Sequence, residues 1–326
     1  MSLDSDVIVD RRRIRRKLTF WRVAAGLVAI AAIVTVGAIA TTSGPAALAS
    51  SGSIARVNID GLIRSDQQRV EALERLEKSS HVAVIVHINS PGGTTAGSEQ
   101  LYDSLVRLKA KKPLVVVVEG LAASGGYITA IAADHIIARQ SSLVGSIGVL
   151  FQFPNFTELM KTVGVKVEEV KSSPLKAAPN GFEPTSPEAR AALDALVKDS
   201  YAWFRGLVKD RRGMDDALLD KVADGRVFTG RQAVELKLID QLGDEKSAVA
   251  WLVAEKKIKS DLPVRDFKLT PQFGDLTFLR AAASIAFDAL GLSSIARQIE
   301  QAGVARAVDQ LSLDGMLALW RPAATN

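Results

Sequence analysis

Between residues 54 and 170 the apolar positions alternate between continuous runs and stripes spaced three or four apart. Continuous runs bounded by turns read as strands covered on both faces, and stripes at helical spacing read as amphipathic helices. Residues 54–59 form a first strand that closes at Asp60-Gly61, and residues 66–78 a helix with Val70, Leu73 and Leu76 on one stripe. Residues 82–88 (V-A-V-I-V-H-I) are almost uninterruptedly apolar, end in the turn Asn89-Ser90-Pro91-Gly92-Gly93, and lead to a helix over 95–110. A strand at 114–118 follows, then the turn E-G-L-A-A-S-G-G (119–126) and a small-residue helix over 127–133. A strand at 136–138, a turn at 144–148, a helix at 155–163 and a strand at 165–170 complete the series. Such alternation predicts an α/β fold with a largely parallel sheet and right-handed crossovers.

Beyond Val170 the texture changes. Residues 171–187 are rich in Ser, Pro, Gly and Asn and read as a long loop before a long helix from Pro187 to about Arg212. Residues 224–230 form a turn and short strand, and helical segments start at Gln232 and Glu245. The domain is expected to span 54–260, followed by a helical tail over 261–326 that is a candidate oligomer contact.

The amino-terminal region is of another kind. Residues 23–40 are an 18-residue run without a charge, long enough to span a bilayer with a small contribution from the flanks. The basic cluster at 11–17 precedes it, and positive flanks stay cytoplasmic. The expected layout is a cytoplasmic basic segment (1–22), one transmembrane anchor (23–41) in contact with membrane lipid, and a Ser/Ala/Gly-rich linker (42–53). Residues 1–22 carry +4 of the net charge of +5, so the basic pI of 9.4 is topogenic and nucleic acid is not an expected partner. Ala47-Leu48-Ala49 fits a signal-peptidase site, but the length of the apolar run favours an uncleaved anchor. The absence of cysteine excludes disulfides, thiol catalysis and cysteine-ligated metals.

The chemistry concentrates at Ser124. A small-small-Ser-Gly-Gly turn between a buried strand and a helix exposes a hydroxyl and lets a substrate backbone approach, but the same serine also reads as an ordinary helix N-cap. Parallel strands deliver their carboxyl-terminal turns to one edge. Gly92 and Gly93 are therefore candidate oxyanion donors beside Ser124, with Gly125 as a third. A nucleophilic serine needs a base. His81, His87 and His135 lack triad context and read as structural. Lysine can serve if its amine is held neutral, and Lys176, between Pro174-Leu175 and Ala177-Ala178-Pro179, has an unusually uncharged neighbourhood.

The ordered motifs I-N-S-P-G-G (88–93), A-A-S-G-G-Y (122–127), V-G-S-I-G-V (144–149), the lysine loop (171–179) and D-G-R-V-F-T-G-R-Q-A (224–233) resemble the signal peptide peptidase A family of membrane-bound Ser/Lys-dyad peptidases. The resemblance covers roughly 54–253. It implies the Clp protease/crotonase-like fold with repeated β-β-α and βα units, preceded by the transmembrane helix. It also implies Ser124 as nucleophile, Lys176, 52 positions later, as general base, and Ser146, 22 positions after the nucleophile, as the residue that orients the lysine amine. Gly93, with Gly92 as neighbour, matches the oxyanion donors. One departure stands out: the family loop commonly carries a Gly and an acidic residue around its lysine, where this chain has Ser172-Ser173-Pro174-Leu175 and Ala177-Ala178.

The resemblance further implies a serine endopeptidase without cofactor or metal, a ring-like homo-oligomer with dyad residues supplied across protomers, and remnants of cleaved signal peptides and other short or unfolded peptides as substrates. It places the chain in the bacterial inner membrane with its catalytic domain periplasmic or extracytoplasmic. Two alternatives compete: a crotonase-like acyl-thioester enzyme using the same paired turns, and a non-catalytic membrane-tethered scaffold.

Overall fold

The structure, a computed structural model, describes residues 52–269 and 317–319. The basic segment, the anchor at 23–41, most of the linker and most of the tail lie outside the described residues. Among the described residues no helix is long and apolar enough to cross a membrane.

Three long parallel strands form the centre: β1 (Ile54–Ile63), β2 (Ala83–Thr94) and β3 (Leu114–Ala123). Strand β3 is shared along its length. Its first half pairs in parallel with β4 (His135–Ala138), and its end, Leu121–Ala123, with β5 (Leu143–Gly145). Strand β6 (Val227–Thr229) closes the outer side of β5 antiparallel, β7 (Gln241–Leu242) pairs β4, and β8 (Val264–Asp266) pairs β1. The sheet order is β6-β5-β3-β2-β1-β8. The mixed α/β class expected from the alternation is the one observed.

Period-two alternation sends neighbouring residues of the strands into two cores. Val57, Val84, Val86, Val116 and Val118 face one side. There they pack with α1 (Gln67–Glu77), α2 (Thr95–Lys109), α3 (Gly125–Ala130) and, from α5 (Pro187–Arg212), Phe204 and Val208. Ile54, Ile85, Val115 and Val117 face the other side, covered by Ala248 and Leu252 of α8 (Glu245–Lys256). Between lie the short helices α4 (Thr157–Val163), α6 (Asp216–Val222) and α7 (Gly230–Glu235). Each such fully buried side chain stabilises the fold by roughly 1.5–3 kcal/mol, enough in sum to fix the strand ends where the site assembles.

Three elements differ from the sequence reading. The turns after 88 and 118 are continuations of β2 and β3. The ladders slip register between Asp60 and Leu62 in β1 and between Ile88 and Ser90 in β2, and Gly92, at φ 101°, takes a conformation that favours glycine. Residues 165–170 are not a strand. This apolar stretch joins no ladder, and Val165, Val167 and Val170 stand exposed. Of the tail read as helical, only residues 261–269 and 317–319 are described. Residues 264–266 belong to the sheet beyond the expected boundary at 260, and β9 (Leu317–Leu319) pairs antiparallel with Gly92–Thr94.

Candidate active site

Ser124 sits between β3 and α3 with φ 54° and ψ −116°. A non-glycine residue at positive φ is strained by on the order of 1–2 kcal/mol, and such strain gathers at functional positions. The surroundings hold it there. Ser124 N donates to Gly145 O at 2.8 Å, and its carbonyl accepts from the amides of Tyr127 and Ile128 at 2.9 Å each. Every residue of α3 is buried. Although Ser124 occupies the N-cap position of α3, its side chain makes no capping hydrogen bond. The hydroxyl is therefore not used to start the helix, and its one hydrogen bond is a long one, 3.4 Å to Gly148 O.

Two close backbone approaches bring the glycine turn beside this serine. Ser90 of β2 pairs with Ala122 of β3. A Cβ on Gly126 would lie 2.7 Å from Ser90 O, so α3 rests directly on the β2 backbone. A Cβ on Gly93 would lie 1.8 Å from Ile63 O, so only glycine fits against the end of β1. Of the three candidate oxyanion donors, Gly92 already donates its N–H to Ser90 Oγ at 3.1 Å, while Ser90 Oγ donates to Gly61 O at 2.7 Å. Gly93 stands in β2 opposite Ile63 of β1 and Ala318 of β9, and Gly125 opens α3, where amides have no intrahelical acceptor.

Ser146 lies one residue beyond the carbonyl that holds Ser124, buried, at φ 51°, with its N–H donating to Arg226 O at 2.8 Å. The 224–230 motif thus backs the serine turn: Gly148 packs on Gly225, and β5 pairs with β6.

Among the described residues no hydrogen bond joins Lys176 to Ser124. Lys176 is exposed on the 171–183 loop, and among the described residues its ammonium meets no hydrogen-bond or ion-pair partner. The uncharged neighbourhood read from the sequence is real, but no described element buries the lysine. Lys171, which the sequence did not single out, is instead held between Glu169 and Glu183 at 2.6 and 2.5 Å. These two carboxylates, Glu169 first, raise its pKa above the ordinary lysine value.

None of the three histidines hydrogen-bonds to Ser124. His81 bonds Ser53 Oγ at 2.8 Å, and His135 stacks on Trp251 at 4.6 Å. His87 bridges Glu119 and Glu245, each at 2.8 Å, and Glu245 is also paired with Arg56 at 2.5 Å. Their structural reading holds.

A serine at a strained strand-to-helix turn on a largely parallel sheet is the setting in which an α/β fold presents a nucleophile. The model of peptidase family S49 matches residues 106–259, and the Clp protease model matches residues 62–142. A candidate protease of Synechocystis sp., slr0021, is 37% identical over 200 residues, covering 61% of this chain and 72% of that protein. Protease 4 of Haemophilus influenzae is 31% identical over 227 residues, 66% of this chain but only 37% of that protein. A candidate signal peptide peptidase of Enterococcus faecium, SppA, is 29% identical over 235 residues, 68% of each chain. The chain belongs to peptidase family S49, the signal peptide peptidase A family. This membership sets aside the crotonase-like alternative.

Proposed function

We propose that the chain is a membrane-anchored serine endopeptidase that cleaves short or unfolded peptides, signal-peptide remnants among them, with Ser124 as nucleophile and Lys176 of a neighbouring protomer as base. The observation that carries the reading is Ser124 itself: a strained serine whose hydroxyl neither caps its helix nor meets a histidine. Neutral Lys176, oriented by Ser146, takes the Ser124 proton as Oγ attacks the peptide carbonyl. Gly93 and Gly125 amides stabilise the oxyanion, the protonated lysine gives its proton to the leaving amine, and water releases the acyl group.

Two features support an assembly. Among the described residues Lys176 has no hydrogen-bond or ion-pair partner, and the exposed large apolar side chains all fall between Leu150 and Leu196. That segment includes Phe151, Phe156 and Leu175, an apolar surface of the kind that marks a protein contact. Peptide substrates suit the site because the edge at Gly92–Thr94 accepts an extended backbone, as its pairing with Leu317–Leu319 exemplifies. The charge-free run at 23–40 behind a basic cluster supports a bilayer anchor with the catalytic domain extracytoplasmic.

The test is covalent labelling of the full chain by a serine-directed acylating probe across pH. Labelling is expected at Ser124 and should increase with rising pH, because the attacking pair needs an unprotonated amine. Labelling that survives Ser124→Ala, or a flat profile from mildly acidic to alkaline pH, contradicts the proposal.

A further inference from the structure

The loop that carries Lys176 is closed at its base by side chains for which the proposed chemistry has no role. Lys171 Nζ donates to Glu169 Oε2 at 2.6 Å and to Glu183 Oε1 at 2.5 Å. Asn180 Nδ2 donates to Glu183 Oε1 at 3.0 Å and to the Ala177 carbonyl at 3.4 Å, and reaches both Glu169 oxygens at 3.5 Å. Asn180 Oδ1 accepts from the amides of Phe182 and Glu183 at 2.9 and 3.1 Å. One ammonium and one amide therefore join residues on both sides of Lys176, and the amide reaches the residue next to it. A cleft of about 440 Å³ opens against the same group, lined by Val167, Lys171, Asn180, Phe182 and Glu183.

Little else shapes the loop. Residues 172–177 are exposed, and the bonds from Lys176 N to Ser173 O (3.1 Å) and from Ala178 N to Leu175 O (3.3 Å) are local turns. A single exposed ion pair contributes little to stability. Here four side chains share one network, and its consequence is the path of a loop rather than the stability of the core.

We propose that Lys171, with Asn180 and Glu183, is a positioning device: an ion-paired strut that sets the path of the loop and so the placement of the Lys176 amine. The proposal rests on the reading of Lys176 as base. It also separates the two lysines of the loop. A general base must be free to lose its proton, whereas Lys171 is shifted upward by Glu169 and Glu183, and Glu183 is shifted downward chiefly by Lys171, so the pair stays ionised.

The test compares peptide cleavage by the full chain with that of Lys171→Met, Lys171→Arg, Asn180→Ala and Lys176→Ala. Misplacing a reacting group by about 1 Å costs up to roughly 100-fold in rate. Lys171→Met and Asn180→Ala should therefore lower kcat about tenfold or more, while KM changes by less than about twofold and the melting temperature stays that of the parent. Lys171→Arg should restore most of kcat, because a guanidinium can make both ion pairs but cannot serve as a base. Parental kcat in Lys171→Met and Asn180→Ala overturns the proposal. So does a Lys171→Arg variant as inactive as Lys171→Met, since that result makes the Lys171 amine itself chemical. Parental cleavage by Lys176→Ala overturns the underlying reading of the base, and the positioning role with it.

Discussion

At Ser124 the backbone and the hydroxyl point to the same role. Its φ of 54° is disfavoured for any residue with a Cβ, and the capping bond that would justify a serine there is not made. Replacement by glycine and by alanine separates the two contributions. Both Ser124→Gly and Ser124→Ala should abolish peptide cleavage. Ser124→Gly should unfold with a free energy about 1 kcal/mol higher than Ser124→Ala, because only glycine adopts this conformation without strain. Equal denaturant midpoints for the two variants would contradict the strain argument. This serine was legible in the sequence because strand, small-residue turn and apolar helix are adjacent in the chain. The capping reading fell only with the folded geometry, where the dihedral angles are strained and the capping bond is not made. Lys171 was not legible: its partners stand two and twelve positions away, and charged residues in a polar loop look alike until the loop is folded.

Among the elements, the parallel core was read from the apolar runs, because strands buried on both faces leave a continuous signature. The run at 165–170 gave the same signature and a different outcome, since an apolar run becomes a strand only where it joins a ladder, and this one joins none. The fit of β1, β2 and α8 is further fixed by charge: Arg56 of β1 and His87 of β2 both bind Glu245 of α8. Glu245 is shifted below the ordinary carboxylate range, first by its hydrogen bonds from Arg56 and also by His87. A lowered folded-state pKa gives stability that is present above the unfolded value, about 4.3, and is lost as pH falls through the folded one. Urea melts from pH 6 to pH 3 should therefore show the parent losing stability below about pH 4.5. Glu245→Gln should be less stable at pH 6 and flatter in acid. An unchanged acid slope in Glu245→Gln would assign the acid sensitivity to other groups.

For the whole molecule, the notable fact is what the described residues of one copy leave apart. The nucleophile is complete in its backbone setting, while Lys176 and the apolar side chains around it are presented outward. A sequence read as one chain implies the dyad by resemblance, and among the described residues of one copy no hydrogen bond joins its two members. Under the proposed function a second copy completes the site, and specific activity should then fall on dilution below the concentration at which protomers dissociate. The most direct measurement mixes full-length Ser124→Ala and Lys176→Ala proteins after dissociation and reassembly and follows peptide cleavage. Each variant alone should be inactive. An equimolar mixture should recover about a quarter of parental activity, because one in four neighbouring pairs then combines an intact serine with an intact lysine across a head-to-tail interface. Inactive single variants whose mixture stays inactive would place the dyad within one protomer, and cleavage by either variant alone would contradict the dyad itself.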